Sequence, residues 1–211
     1  MDKYIITIAR QLGSGGSAMG KAISEHFGFQ YIDKEILVKC ADRLNLSEES
    51  LEEIDEKSTS IWNILAHTAS YEVPYVADEW FVPTSSQLFK TQAEIMKEST
   101  DAGSCVIVGR CASYLFRDRP NHVSIFLKAS DESRIARLEK TLGNEMTTQQ
   151  MIKLMEKEDK DRAKYYNFYT GQKWLDLRNY DFILDTSNLT DEQAQQMVFN
   201  LIETKFPELK K

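Results

Sequence analysis

The sequence predicts a three-layer α/β domain, a doubly wound five-stranded parallel sheet with helices on both faces. Three observations predict it. Five short apolar, β-branched runs are spaced along the chain as buried parallel strands are. Amphipathic helical patterns separate them, as right-handed crossovers require. A glycine-rich turn joins the first run to the first helical pattern.

The first strand is Tyr4 to Ala9. Arg10-Gln11-Leu12-Gly13-Ser14-Gly15-Gly16-Ser17 follows, and Ala18 to Phe27 then places Met19, Ile23 and Phe27 on one helical face. Strand, glycine-rich turn and helix N-terminus together make an anion site, because backbone amides converge there and the helix dipole adds partial positive charge. The expected ligand is a nucleotide phosphate. Two registers compete for it. Gly15, four residues, Gly20 and Lys21 match G-x-x-x-x-G-K by letters. That choice puts Ala22 where a magnesium-binding hydroxyl belongs and leaves under two turns of helix before Gly28. The other register starts at the strand end with Arg10 and runs through Gly15, Gly16 and Ser17. It keeps the strand–loop–helix spacing and the hydroxyl of Ser17, and it has Gly16 in place of the lysine. Geometry favours this second register, so Gly13, Ser14, Gly15, Gly16 and Ser17 are the expected phosphate-binding residues, and Lys21 is a helix-surface lysine.

Gly28 ends the helix. Phe29 to Ile32 is a second short strand, and Asp33 is expected to N-cap a helix over Glu35 to Leu44. The later strands are Ser104 to Val108, His122 to Leu127 and Asn179 to Asp185. Helices are expected over Asp131 to Lys140, from near Thr147, and over Thr190 to Thr204. The turn, Asp33, Arg110 and Lys128 all follow strand ends, where α/β sheets bind ligands. Between the second and third strands lies an insertion, 34–102, read as helical over Glu35 to Leu44, Ser47 to Glu56, Ser60 to Thr68 and Ser86 to Thr100. Its aromatic window of Trp62, Tyr71, Tyr75, Trp80 and Phe81 suits an oligomerisation or packing surface, or equally a ligand-binding one.

Composition excludes several classes. The 211 residues are 42% hydrophobic and 28% charged, ordinary for one globular core. A net charge of −7 argues against a sequence-independent nucleic-acid binder. No apolar run is long enough for a membrane span, and the N-terminus has no signal-peptide shape, so a cytoplasmic location is expected. Cys40, Cys105 and Cys111 are odd in number and scattered, which fits reduced thiols.

The segments Gly13-Ser14-Gly15-Gly16 and Phe27-Gly28-Phe29-Gln30-Tyr31-Ile32-Asp33 resemble the cytidylate kinase-like P-loop proteins, relatives of the nucleoside monophosphate kinases. Tyr165-Tyr166-Asn167-Phe168-Tyr169-Thr170-Gly171 is similar to a segment of the same group. The resemblance implies a P-loop NTPase-type core over 1–33 and 103–211, an insertion over 34–102 and a lid over about 141–174. It implies a phosphotransferase that moves the γ-phosphoryl of ATP, with Mg²⁺, to a nucleoside monophosphate or similar small acceptor. On this reading Ser17 meets the metal, Asp33 and Arg110 address the acceptor, and Arg134 and Arg137 contact the donor nucleotide. Arg162, in a run like the Asp-x-x-Asp-Arg of cytidylate kinases, stabilises the transferring group. Arg10 or Arg162 replaces the missing lysine charge. Cys111 stands where cytidylate kinases carry an aspartate. The competing reading is a nucleotide-binding or regulatory protein that kept the fold and lost the transfer.

Overall fold

The computed structural model describes residues 3–33, 35–44, 85–142 and 146–210. The helices expected over Ser47 to Glu56 and Ser60 to Thr68, and the aromatic window, lie outside the described residues.

The strands are β1 (Ile5–Arg10), β2 (Gln30–Ile32), β3 (Cys105–Val108), β4 (His122–Lys128) and β5 (Phe182–Asp185). All pair in parallel in the order β2-β3-β1-β4-β5. The central strand is β1, with Ile8 opposite both Val108 and Ile125. Ile5, Ile6, Ile8, Val106, Val108, Val123, Ile125 and Leu127 are essentially inaccessible to solvent. That is why these strands read as continuous apolar runs and not as alternating ones. The order reverses at β1: the chain passes to β2 on one side and reaches β4 on the other. The turn after β1 therefore opens into the crevice at the switch point of the sheet.

Helix α1 (Gly16–Phe27) packs Met19 and Ile23 into the main core with Val198, Phe199 and Ile202. It ends at Gly28, whose φ of 71° is a left-handed cap. It begins at Gly16, two residues earlier than the sequence pattern suggests, because the last residues of the glycine-rich turn already have helical geometry. The short α4 (Ala112–Leu115) follows β3. Helix α5 is Asp131–Leu142 and α6 is Thr148–Thr170, with Leu138, Met151 and Met155 forming a satellite core. Helix α7 is Asp191–Lys205. Thr147 and Thr190 each begin their helix with a complete capping box, to Gln150 and Gln193. The strand expected from Asn179 starts only at Phe182, because Leu177–Asn179 forms a 3-10 turn capped by Asp176.

The chain divides into two compact units, one of 1–33 with 98–211 and one of 34–97. The second contains α2 (Glu35–Leu44), with Ile36 and Cys40 buried, and most of α3 (Ser85–Ala102), with Leu88, Ile95 and Met96 buried. No described helix is long and apolar enough to cross a membrane.

One polar contact inside the main core sets a pH dependence. The His122 Nε2 lies 2.8 Å from Thr7 Oγ1, and both side chains are buried. Burial pushes the His122 imidazole down to about 4 from an ordinary 6.5, with Asp181 partly opposing. The unfolded chain therefore takes up a proton near pH 6.5 that the folded chain refuses until about pH 4. Stability from this site is complete above pH 6.5 and falls as the pH drops toward 4. Urea denaturation is expected to give a lower midpoint at pH 5 than at pH 7. His122→Gln, which keeps a hydrogen-bonding group near Thr7, is expected to shrink that difference.

Candidate functional site: a glycine-rich loop ringed by arginines

The loop between β1 and α1 is held by its carbonyls. The Gln11 amide donates to Leu127 O, and the Ser14 amide and hydroxyl both reach Gln11 O. The Leu12 carbonyl accepts from Arg134 Nε at 2.6 Å. The Gly13 carbonyl faces Arg137 at 3.5 Å, and the Ser14 carbonyl accepts from Thr186 Oγ1 at 3.1 Å. With the carbonyls anchored from behind, α1 opens on Gly15, at φ 88°, with no side-chain cap bond. Its first backbone bond runs from Met19 N to Gly15 O. The amides of Gly16, Ser17 and Ala18 precede that bond and have no acceptor inside the helix. This helix start contrasts with those of α6 and α7, whose capping boxes occupy the equivalent groups. An uncapped helix start at a sheet switch point is suited to phosphate.

Gly20 and Gly13 are both tightly enclosed glycines. Gly20 is buried, and a Cβ there would come within 2.8 Å of the Tyr31 ring and of Val108. Gly20 thus lets α1 approach the sheet closely. Lys21 points to solvent. Gly13 is also tightly enclosed: at φ 78°, an added Cβ would lie 2.9 Å from Arg134 O.

Arg134 and Arg137, expected at the donor nucleotide, lie behind the loop. The Arg134 guanidinium is buried at 6% exposure and binds Leu12 O, Asp131 and Asp159, the last at 2.5 Å. Asp159 uses its other oxygen to accept the Leu12 amide at 2.9 Å and Arg162 at 3.1 Å. Both the amide and the carbonyl of Leu12 are therefore clamped by one ion pair between α5 and α6. Arg137 NH2 donates to Thr186 O at 2.8 Å. Nothing local in the sequence announces Asp159 as a loop ligand; it is one acid in a dense charge run.

Ser17, Asp33 and Arg10 come together at the start of α1. Ser17 Oγ donates to Asp33 Oδ2 at 3.1 Å, and Tyr31 OH donates to the same oxygen at 2.9 Å. Arg10 NH2 is 3.8 Å from Asp33 Oδ1. The Arg10 guanidinium is pushed down to about 10, first by burial and then by the positive field of Arg162, with Asp33 opposing and Arg110 adding to the repulsion. Arg110 and Arg162 thus both act on Arg10, Arg162 while paired with Glu158 at 3.2 Å and Asp159 at 3.1 Å, and cations gathered in this way are suited to a polyanion. Arg110 sits on a strained turn: Gly109, Arg110 and Cys111 have φ of 83°, 57° and 55°. For the two residues with side chains, a left-handed conformation costs about 1–2 kcal/mol each. Strain of this kind gathers where a side chain must be aimed. The Cys111 thiol is buried and pushed up to about 12. It is therefore no nucleophile at neutral pH.

The loop, its place at the switch point and the parallel sheet define a P-loop NTPase-type α/β domain. The chain belongs to the cytidylate kinase-like family, whose model matches residues 5–188. Relatives include a cytidylate kinase of Pyrococcus horikoshii, 26% identical over 90% of this chain and 84% of that protein. Another, from Methanopyrus kandleri, is 23% identical over 90% and 88%. Among solved structures, an uncharacterised protein from Eubacterium ventriosum superposes with a TM-score of 0.70 at 24% identity, over 96% of this chain and 99% of that one. A shikimate kinase from Bacteroides thetaiotaomicron gives 0.55 at 15% identity over 96% and 99%. These likenesses agree on the fold.

The clamp yields a test. Removing Asp159 takes the 2.5 Å partner from the buried Arg134 guanidinium and the acceptor from the Leu12 amide, at a cost of about 3–5 kcal/mol. Asp159→Ala is expected to fall in that range in a urea titration monitored by circular dichroism. Lys164→Ala, at an exposed pair with Asp161 on the same helix, is expected to change stability by less than about 1 kcal/mol.

Proposed function

We propose that this protein is an ATP-dependent phosphotransferase acting on a nucleoside monophosphate or a similarly small phosphorylated acceptor. The observation that carries the reading is the uncapped start of α1, with its loop carbonyls tied back and Arg110 and Arg162 both acting on Arg10. Family membership and the names of the relatives support it.

In this mechanism the amides from Gly13 to Ser17 wrap the β-phosphate of the donor. Phosphoryl transfer asks for little covalent chemistry from a protein; it asks for alignment and positive charge. Arg10 and Arg162 supply charge at the transferring group, and Asp33 and Arg110 address the acceptor. Arg134 and Arg137 serve the donor by holding the loop in shape. A magnesium ion needs only one or two protein oxygens when phosphates and water complete its shell. The Ser17 hydroxyl beside the Asp33 carboxylate meets that need, and the ion when bound neutralises phosphate charge. The insertion 34–102 serves as the acceptor-binding part and 141–174 as the lid. A nucleotide-binding regulator without transfer is the second reading, and Gly16 in the place of a lysine favours it.

Turnover decides between the two. Purified protein with ATP or GTP, Mg²⁺ and each common nucleoside monophosphate is expected to release a nucleoside diphosphate for at least one acceptor. Thermal stabilisation by a triphosphate without any turnover would select the regulator. In the active case Arg162→Ala is expected to lower kcat about 10²–10³-fold with little change in KM, as for a contact made mainly in the transition state. Lys21→Ala is expected to leave both constants within about twofold, because Lys21 is an exposed residue in the second turn of α1 and no part of Gly13–Ser17.

A further inference from the structure

Gly16 occupies the position where a lysine would otherwise reach the phosphates, and its surroundings explain why it is glycine. A Cβ built on Gly16 would lie 2.5 Å from Arg10 Cγ, 2.7 Å from Arg10 Cβ and 3.2 Å from Arg10 Cδ. Of these, Arg10 Cβ is fixed by the backbone, and Cγ and Cδ can move only by a change of rotamer along the buried root of the side chain. At the other end of the same side chain, a Cβ on Gly109 would collide with Arg10 NH1. Gly109 also has a φ of 83°, a conformation that favours glycine. The Arg10 side chain therefore runs along a track with one glycine at its root and another at its tip. Its guanidinium ends 3.8 Å from Asp33, the carboxylate that accepts the Ser17 hydroxyl.

We propose that Arg10, entering from the end of β1, is the phosphate-binding cation of this loop in place of a lysine on α1, and that Gly16 is glycine because the root of Arg10 needs the space. The proposal rests on the phosphotransferase reading and deepens it: it assigns the replacement charge to Arg10 and not to Arg162. It also makes arginine at position 10 and glycine at position 16 a coupled pair. A lysine at 16 collides with Arg10 as Arg10 is placed here. The guanidinium offers a planar fork of donors to phosphate oxygens where an ammonium offers a point charge.

Two measurements on wild type, Arg10→Ala, Arg10→Gly, Gly16→Ala, Gly16→Lys and the double variants test this. The first is calorimetric titration with ATP and with inorganic tripolyphosphate. Wild type is expected to bind both, and Arg10→Ala to bind each about tenfold or more weakly. Gly16→Lys alone is expected to lose binding, and Arg10→Gly/Gly16→Lys to recover most of it, since glycine at 10 also removes the Cβ that would lie 2.7 Å from the new side chain. The second is thermal denaturation, which needs no ligand. Gly16→Ala is expected to lower Tm in the wild-type background and to lower it clearly less in an Arg10→Gly background, where the Cβ at 10 is gone as well. Should Gly16→Lys fail to fold, the Gly16→Ala pair still reads the coupling. Wild-type binding with an Arg10→Ala variant within twofold of it would overturn the proposal alone. So would equal losses of Tm for Gly16→Ala in both backgrounds. Failure of the wild type to bind either probe would instead bring down the phosphotransferase reading, and the proposal with it.

Discussion

The buried pairing of Arg134 with Asp159 is the contact on which the glycine-rich loop depends. Arg134 holds the Leu12 carbonyl while Asp159 holds the Leu12 amide, so the residue entering the loop is fixed at both of its polar groups. A buried ion pair is seldom a net source of stability, because desolvation offsets most of its attraction. Here the pair directs its hydrogen bonds to backbone that would otherwise be unsatisfied. Three elements meet in it: the loop, α5 and α6. With the carbonyls of Leu12, Gly13 and Ser14 facing side chains behind the loop, the amides at the start of α1 stand uncapped in front.

That division of labour separates two kinds of arginine that look alike in a sequence. Arg134 and Arg137 direct donors to backbone carbonyls in and beside the loop and are structural in that sense. Arg10 lies in the positive field of Arg162 and Arg110, with Asp33 as its acidic neighbour. The repulsion that Arg10 meets from Arg162 and Arg110 is unfavourable in the protein alone. A bound polyanion would relieve it, which couples affinity to the same charges that strain the free site. The left-handed turn at Arg110 and Cys111 adds a second local cost at the same edge of the sheet.

Much of the fold is legible in the sequence. The strands are readable because strands buried on both faces carry uninterrupted apolar runs, and the sheet is parallel throughout. Helix ends are readable where a local signal exists: Gly28 in a left-handed cap, Thr147 with Gln150, Thr190 with Gln193. The family resemblance read from Gly13–Gly16 and Phe27–Asp33 agrees with the family model over residues 5–188. The start of β5 is not readable in the same way, because the 3-10 turn at Leu177–Asn179 depends on the Asp176 cap and not on hydrophobic pattern.

The sequence by itself determined the parallel α/β fold and the position of the glycine-rich loop between its first strand and first helix. Strand burial, helix length and turn chemistry are short-range properties, and each leaves its mark within a few residues. Only the tertiary structure decided which charged residues hold the loop from behind and which come together at the start of α1. Asp159 reaches Leu12 across 147 positions, and Arg134 reaches the same residue across 122. It also decided why Gly16 and Gly20 are glycine: one makes room for Arg10, the other for Tyr31 and Val108. Such assignments are contacts between distant segments, and periodicity and composition carry no information about which side chain will occupy a given few ångströms of space.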